Sequence, residues 1–219
     1  MASIRLLKAA RISKFLSRYN LDSSISKHAD GIDLGEVLFV GSGGNLETLA
    51  RGFQSNSFIT VDIDADRKPD RVMSVTALDF PENNFDTVFM LEVLEHVTEP
   101  HDAVAEIHRV LKPGGKIILS TPFVFGIHDA PHDYFRYTKY GLRHLFKKFE
   151  EIDLIERCGF FWTILVLNSR LMVTKNKFHR IFGKLLTLIS VIVSPIAFVL
   201  DKALPNTITT GYVAVFKKK

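Results

Sequence analysis

The stretch that most constrains the fold runs from Pro81 to Pro122, PENNFDTVFMLEVLEHVTEPHDAVAEIHRVLKPGGKIILSTP. Phe85–Leu91 is a short apolar run of strand formers. Pro100–Leu111 sets Val104, Ile107 and Leu111 on one helical face. Lys112-Pro113-Gly114-Gly115 stops that helix, because proline cannot continue it and glycine accepts a left-handed cap. Lys116–Ser120 then reads as a second buried strand. Strand, helix and strand at this spacing make a βαβ unit, which implies parallel strands and a right-handed crossover.

The same reading extends outward. Val37–Val40 is a strand, followed by a glycine loop and a helix over Leu46–Phe53. Phe58–Val61 and Val72–Val75 read as the next strands. A helix over Tyr140–Phe149 is expected to be capped by Thr138, with strands at Glu151–Arg157 and Thr209–Phe216. Asp62 closes its strand about 20 residues after Gly41, where a βαβ fold expects a carboxylate able to accept both hydroxyls of a ribose.

Over about Val37–Phe161 and the last strand, with FDTV, EVLEH and HRVLKPGG as its densest motifs, the chain resembles the class I S-adenosylmethionine-dependent methyltransferases, in particular the type 11-like subgroup. The resemblance implies an α/β, Rossmann-like three-layer sandwich. Its sheet has seven mostly parallel strands with the last antiparallel, and an apolar helical insertion precedes that strand. It implies S-adenosyl-L-methionine as cofactor, held by Val40, Gly41, Ser42, Gly43 and Asn45 in the first loop. Asp62 and Ile63 follow the second strand, Ser74 and Val75 the third, and Leu91 and Glu92 the fourth. Three positions depart from the family pattern. Phe39 stands where an acid is common, Asn45 where the loop has its third glycine, and Ser74 where an Asp meets the adenine amino group. Asparagine tolerates the left-handed conformation better than most residues, which makes the second departure mild.

In open α/β sheets ligands bind beyond the carboxyl ends of the strands, so the acceptor belongs near the loop Phe123–Leu142. That loop packs His128, Asp129, His132, Asp133, Tyr134, Arg136 and Tyr137 into ten residues. Imidazole titrates near neutrality, so His132 or His128 is the candidate general base, with Asp133 to orient it. Arg136 suits an acceptor phosphate or carboxylate. Tyr134 and Tyr137 suit stacking on a ring, and His96 the pocket wall. The competing reading makes Asp133, Arg136 and the tyrosines a structural knot. The loop is similar to one found among surface-glycan methyltransferases. Glu92, Glu95 and His96 resemble the divalent-metal residues of ubiquinone-pathway O-methyltransferases, but the simpler expectation is a pocket without metal.

Composition adds limits. A net charge of +4 fits an anionic partner without requiring one. A single cysteine, Cys158, excludes an internal disulfide framework and fits a reducing compartment. A signal peptide is not expected, because no continuous apolar run opens the chain. Residues 1–30 are expected to carry a basic helix over Ile4–Tyr19, and 31–219 the methyltransferase domain. The insertion, residues 160–204, is interrupted by Pro195 and reads as two short helices. They would form a soluble lid or dimer interface, or dip into an anionic leaflet, placing a cytoplasmic protein on the inner membrane face. These features suggest O-methylation of a glycan, lipid-linked sugar or other lipophilic acceptor. The alternatives are a soluble metabolite or quinone precursor, and a degenerate membrane-bound scaffold. Nucleic acid is not an expected partner, for the chain lacks an NPPY-type motif.

Overall fold

The computed structural model describes residues 16–18, 20–173, 176–203 and 208–219. The chain divides into two compact units. One comprises 22–122, 129–155 and 212–219; the other comprises the chain before 22, 123–128 and 156–211.

The first unit holds the sheet. Its elements are α1 (Leu21–Ala29), β1 (Glu36–Val40), α2 (Gly44–Arg51), β2 (Ser57–Asp62), β3 (Arg71–Val72), β4 (Phe85–Leu91), α3 (Pro100–Val110), β5 (Leu111–Pro122), α4 (Lys139–Leu145), β6 (Phe149–Glu156) and, last in the chain, β7 (Gly211–Lys218). Strand order is β3-β2-β1-β4-β5-β7-β6. Strands β1 to β5 pair in parallel. Strand β7 runs against β5: Phe123 N, just after β5, donates to Thr210 O, just before β7. At the opposite ends Lys218 Nζ reaches Leu111 O at 2.7 Å. The order reverses between β1 and β4, which opens a crevice at their carboxyl ends.

The sheet is apolar on both faces, as parallel strands covered by helices require. Phe39 is buried and stacks on Phe58 and Phe89, with centroids 5.7 and 6.2 Å apart. Each such ring contributes about 2–3 kcal/mol by burial. Where the resemblance led to an acid being expected, this chain therefore has a core residue. Helix α3 fixes the loop beyond β3. Arg109 donates to the carbonyls of Phe80 and Leu78 at 2.7 Å and to Glu106, which in turn accepts from Leu78 N at 2.9 Å. Those bonds hold the Glu106 carboxyl below its ordinary range, Arg109 first, against the opposing effect of burial.

Helix α1 is absent from the sequence reading, which put a helix at Ile4–Tyr19, mostly outside the described residues. Leu21, Ile25 and Ala29 recur every fourth residue and are all buried. The expected third strand shrinks to two residues. The KPGG turn is absorbed into the start of β5, where pairing with β4 shifts register between Phe85 and Thr87.

The second unit is helical, with α5 (Phe160–Arg170) and α6 (Lys177–Ala203). The insertion is one short helix and one of 27 residues, since α6 continues through Pro195. Proline lacks the N–H that Val191 O would accept. Ser194 Oγ donates to that carbonyl instead, at 2.8 Å.

Candidate active site

The chain leaves β1 at Val40 and turns at Gly41, whose φ is 89°. A Cβ there would run into Val93 Cγ2 at a φ that side chains rarely adopt, so glycine is required. Gly43 and Gly44 also have positive φ, whereas Asn45 lies inside α2. The left-handed conformation that asparagine was expected to tolerate is therefore carried by Gly44, and Asn45 needs none. Glu47 of α2 accepts from Gly43 N at 2.5 Å, Ser42 Oγ at 3.2 Å and Arg51 Nε at 2.8 Å. Burial pushes its carboxyl up, but the Gly43 amide, Arg51 and Ser42 together hold it below the ordinary range.

Asp62, at the end of β2, is buried. Its Oδ2 accepts from Ser42 N at 2.8 Å and its Oδ1 from Asp64 N at 2.9 Å. Each carboxylate oxygen keeps a further lone pair. Asp64 caps a single 3-10 turn over Ala65–Arg67, and that turn brings Arg67 Nε to 3.9 Å from Asp62 Oδ2. Ser74 Oγ is 2.7 Å from Thr76 Oγ1.

Glu92 follows β4 with φ 57°, a strained position for a side chain and one that clusters at functional sites. Ser120 Oγ donates to Glu92 Oε1 at 2.9 Å, and Ser120 O accepts the Glu92 amide at 3.0 Å. The EVLEH segment is thus a left-handed residue followed by one 3-10 turn over Leu94–His96, rather than a helix that gathers its acids on one face. Glu95 is fully buried, with Oε1 3.7 Å from His96 Nε2.

These residues enclose a cleft of about 440 Å³, lined by Val40, Gly41, Asp62, Ile63, Ser74, Val75, Glu92, His96, His132 and Tyr134 from the sequence-based set. Its wall also includes Asp64, Arg67, Met73, Val93, Val97, Thr98 and Asp129. Ser42, Gly43, Asn45 and Leu91 are not among the residues that line it. Arg67 was missed because nothing in DADRKP marks the turn that returns it to Asp62, except Asp64 as a cap.

His132 Nδ1 is 3.0 Å from Tyr134 Oη, and the His132 carbonyl is 2.5 Å from His96 Nδ1. The nearly buried Asp133 carboxylate binds Arg136 bidentately, at 2.6 and 2.7 Å. The guanidinium pKa is raised by Asp133 first, then by the fields of Glu95 and Glu92, against the cost of burial. Tyr137 donates to Leu94 O at 3.3 Å, and burial, with Glu95 second, pushes its hydroxyl pKa up. Asp133 and Arg136 thus pair with each other, Tyr137 bonds to the Leu94 carbonyl, and none of the three is among the residues lining the cleft. His128 belongs to the helical unit, where its ring stands edge-on to Phe125.

Seven strands in this order, a glycine turn over a buried Asp and a cleft at the switch point make up the class I methyltransferase fold. Residues 38–119 match the methyltransferase domain model Methyltransf_11. Over those residues the chain is similar to S-adenosylmethionine-dependent methyltransferases of that type. It is 34% identical over 129 residues to the ubiquinone biosynthesis O-methyltransferase of Idiomarina loihiensis, covering 49% of this chain and 53% of that one. The chain thus spans about half the length of that curated relative. By fold it is similar to a chain from the complex between the Haloferax volcanii Trm112 methyltransferase activator and a methyltransferase, with TM-score 0.62, 14% identity and coverage of 97% and 94%. It is also similar to the [4+2]-cyclase SpnF, with TM-score 0.61, 15% identity and coverage of 90% and 80%. That a cyclase shares the fold leaves the chemistry to the site.

Proposed function

We propose that this protein methylates a phenolic oxygen of a quinone precursor or a similar lipophilic aromatic acceptor. The observation that carries the reading is one cleft wall joining Gly41 and Asp62 to the His132–Tyr134 pair. The residues fit S-adenosyl-L-methionine. The glycine turn leaves room that a Cβ would fill, and Asp62 retains acceptor capacity toward two hydroxyls. Ser74, Val75 and Glu92 line the rest of its path. When bound, the cofactor supplies a methyl group on a sulfonium, an excellent leaving group.

What remains for the chain is alignment, water exclusion and proton removal. His132 is the base. Its Nδ1 is tied to Tyr134, and its Nε2 takes the acceptor's O–H proton as that oxygen attacks. His96, bonded to the His132 carbonyl, positions the loop. Val93, Val97 and Met73 give the wall an apolar character suited to an aromatic ring.

The relatives' printed function supports a quinone precursor over the glycan or lipid-linked sugar expected from the 123–142 loop. The intact cleft supports an enzyme over a scaffold. Calorimetric titration with S-adenosylmethionine and S-adenosylhomocysteine, followed by methyl transfer to a prenylated catechol, tests both steps. Binding with catechol turnover supports the reading. Binding with turnover of a glycolipid instead restores the glycan acceptor. No binding to folded protein removes the enzyme.

A further inference from the structure

Helix α6 is packed inside out. The residues it buries are small or polar: Gly183, Thr187, Ser190 and Ala197. The residues it presents outward are large and apolar. Phe178, Ile181, Leu185, Leu188, Ile192, Ile196 and Val199 recur every three or four positions, each more than half exposed. In a helix that covers a water-soluble core the order is reversed. Small residues inside and large ones outside is the pattern of helices that meet each other in lipid.

The inner face belongs to α5. A Cβ on Gly183 would lie 2.7 Å from Leu171 and from the Met172 amide, so glycine sets the closest approach. Asn168 Nδ2 donates to Ser190 Oγ at 3.1 Å. Asp201 accepts the Phe161 and Trp162 amides at 2.9 and 3.0 Å, capping the start of α5 from the far end of α6. The two helices therefore form an antiparallel hairpin.

We propose that the outward face of α6 lies in the surface of an anionic lipid bilayer, with the helix axis parallel to the membrane plane. Three observations select this occupant and orientation. First, the exposed apolar arc is wider than a two-helix seam. Beyond the central stripe it takes in Val191 and Phe198 on one flank and Phe182, Ile189 and Val193 on the other. A second copy would cover only the stripe. Second, the cations lie together on one side of the central stripe, the side of Val191 and Phe198. Lys177, Arg180 and Lys184 stand at one end and Lys202 at the other. The acid of this helix, Asp201, is turned inward to its cap, so the flank facing the headgroups is cationic.

Third, the hairpin cannot span. α6, at 27 residues, is about 40 Å long, enough to cross a hydrocarbon core of about 30 Å. The returning arm, α5, has 11 residues and reaches only about half that depth. Insertion bend first would also carry Arg170, Lys177, Arg180 and Lys184 into the hydrocarbon, at about 2.5–3.5 kcal/mol each on translocon-insertion scales. An in-plane helix keeps every charge at the interface.

The test uses the full chain and vesicles of phosphatidylcholine with roughly a third phosphatidylglycerol. The protein is expected to float with them, and replacing the anionic lipid by neutral lipid is expected to weaken binding at least about tenfold. The double substitution Leu188→Glu and Ile192→Glu is expected to abolish flotation with thermal stability and cofactor binding unchanged, because both side chains are at least 60% exposed. Cys158 is buried, so cysteines introduced at Phe178, Ile192 and Val199 can carry an environment-sensitive dye. In-plane binding predicts equal depth at all three. Wild-type protein that stays with the soluble fraction overturns the proposal, as does a double variant that still floats. A lipid-independent dimer broken by L188E/I192E would assign the face to a second copy. A depth gradient from position 178 to 199 would overturn the orientation.

Discussion

Asp62 accepts the Ser42 amide at 2.8 Å, so the carboxylate expected to hold the ribose also fixes the glycine turn after β1. Replacing it strikes both tasks. D62A is expected to weaken S-adenosylmethionine binding by about 10- to 100-fold, the range for losing charged hydrogen bonds. D62N keeps one acceptor oxygen and should fall between the two. Calorimetry reads this directly, and an affinity unchanged in D62A would remove Asp62 from the cofactor site.

The turn itself gives a second prediction. Gly41→Ala places a methyl against Val93 and forces a side chain onto a φ of 89°. G41A is expected to lose cofactor affinity by more than about tenfold through this strain. Adding Val93→Ala removes the clash but not the backbone strain. The double variant should therefore recover only part of the loss. Full recovery would mean that the steric contact alone dictates the glycine.

Most of the sheet was legible in the sequence because buried parallel strands are continuous apolar runs and helix α3 has clean periodicity. The place of Asp62 at the end of β2 was legible from spacing. The functions of Asp133 and Arg136 were not, since a sequence places them beside His132 without showing that their charges satisfy each other. Glu92 and Glu95 resembled metal-binding residues, and the sequence did not show the left-handed φ at Glu92. Helix α1 carried a readable signal, Leu21, Ile25 and Ala29, masked by the stronger basic pattern before it. The inside-out packing of α6 was invisible, because periodicity shows that faces differ but not which face is covered.

His132 and Tyr134 share the cleft wall at a 3.0 Å contact. H132A is expected to lower kcat by about 10²–10⁴, the usual contribution of a positioned base, with cofactor affinity nearly intact. Y134F should cost less and shift the pH profile of kcat, since it removes only the hydroxyl partner of the imidazole. Wild-type turnover in H132A would transfer the base role to another group.

Arg136 is expected to be a stability residue. R136A leaves the nearly buried Asp133 carboxylate without its bidentate partner. Breaking a fully buried pair costs about 3–5 kcal/mol, and the partial exposure of Arg136 lowers this to about 2–3 kcal/mol. D133N/R136M, which removes both charges, should recover much of the loss. The check is thermal unfolding beside acceptor KM. A raised KM at unchanged stability would instead make Arg136 an acceptor ligand.

The Glu47 staple on the cofactor turn carries a pH signature. Its folded pKa lies below the ordinary carboxylate value because the Gly43 amide, Arg51 and Ser42 outweigh burial. A depressed pKa means that the staple's stabilisation is present above the unfolded value, about 4.3, and is lost as pH falls through the folded value. E47Q removes the charge at every pH. Its unfolding temperature should lie below wild type at neutral pH and converge on it in acid, while other carboxylates destabilise both proteins together. The Glu47 side chain is 16% exposed but its partner Arg51 is 45% exposed, so solvent screens the pair in part and the neutral-pH gap should be small, about 1 kcal/mol. A gap that stays constant down to acid pH would show that Glu47 acts through packing rather than charge.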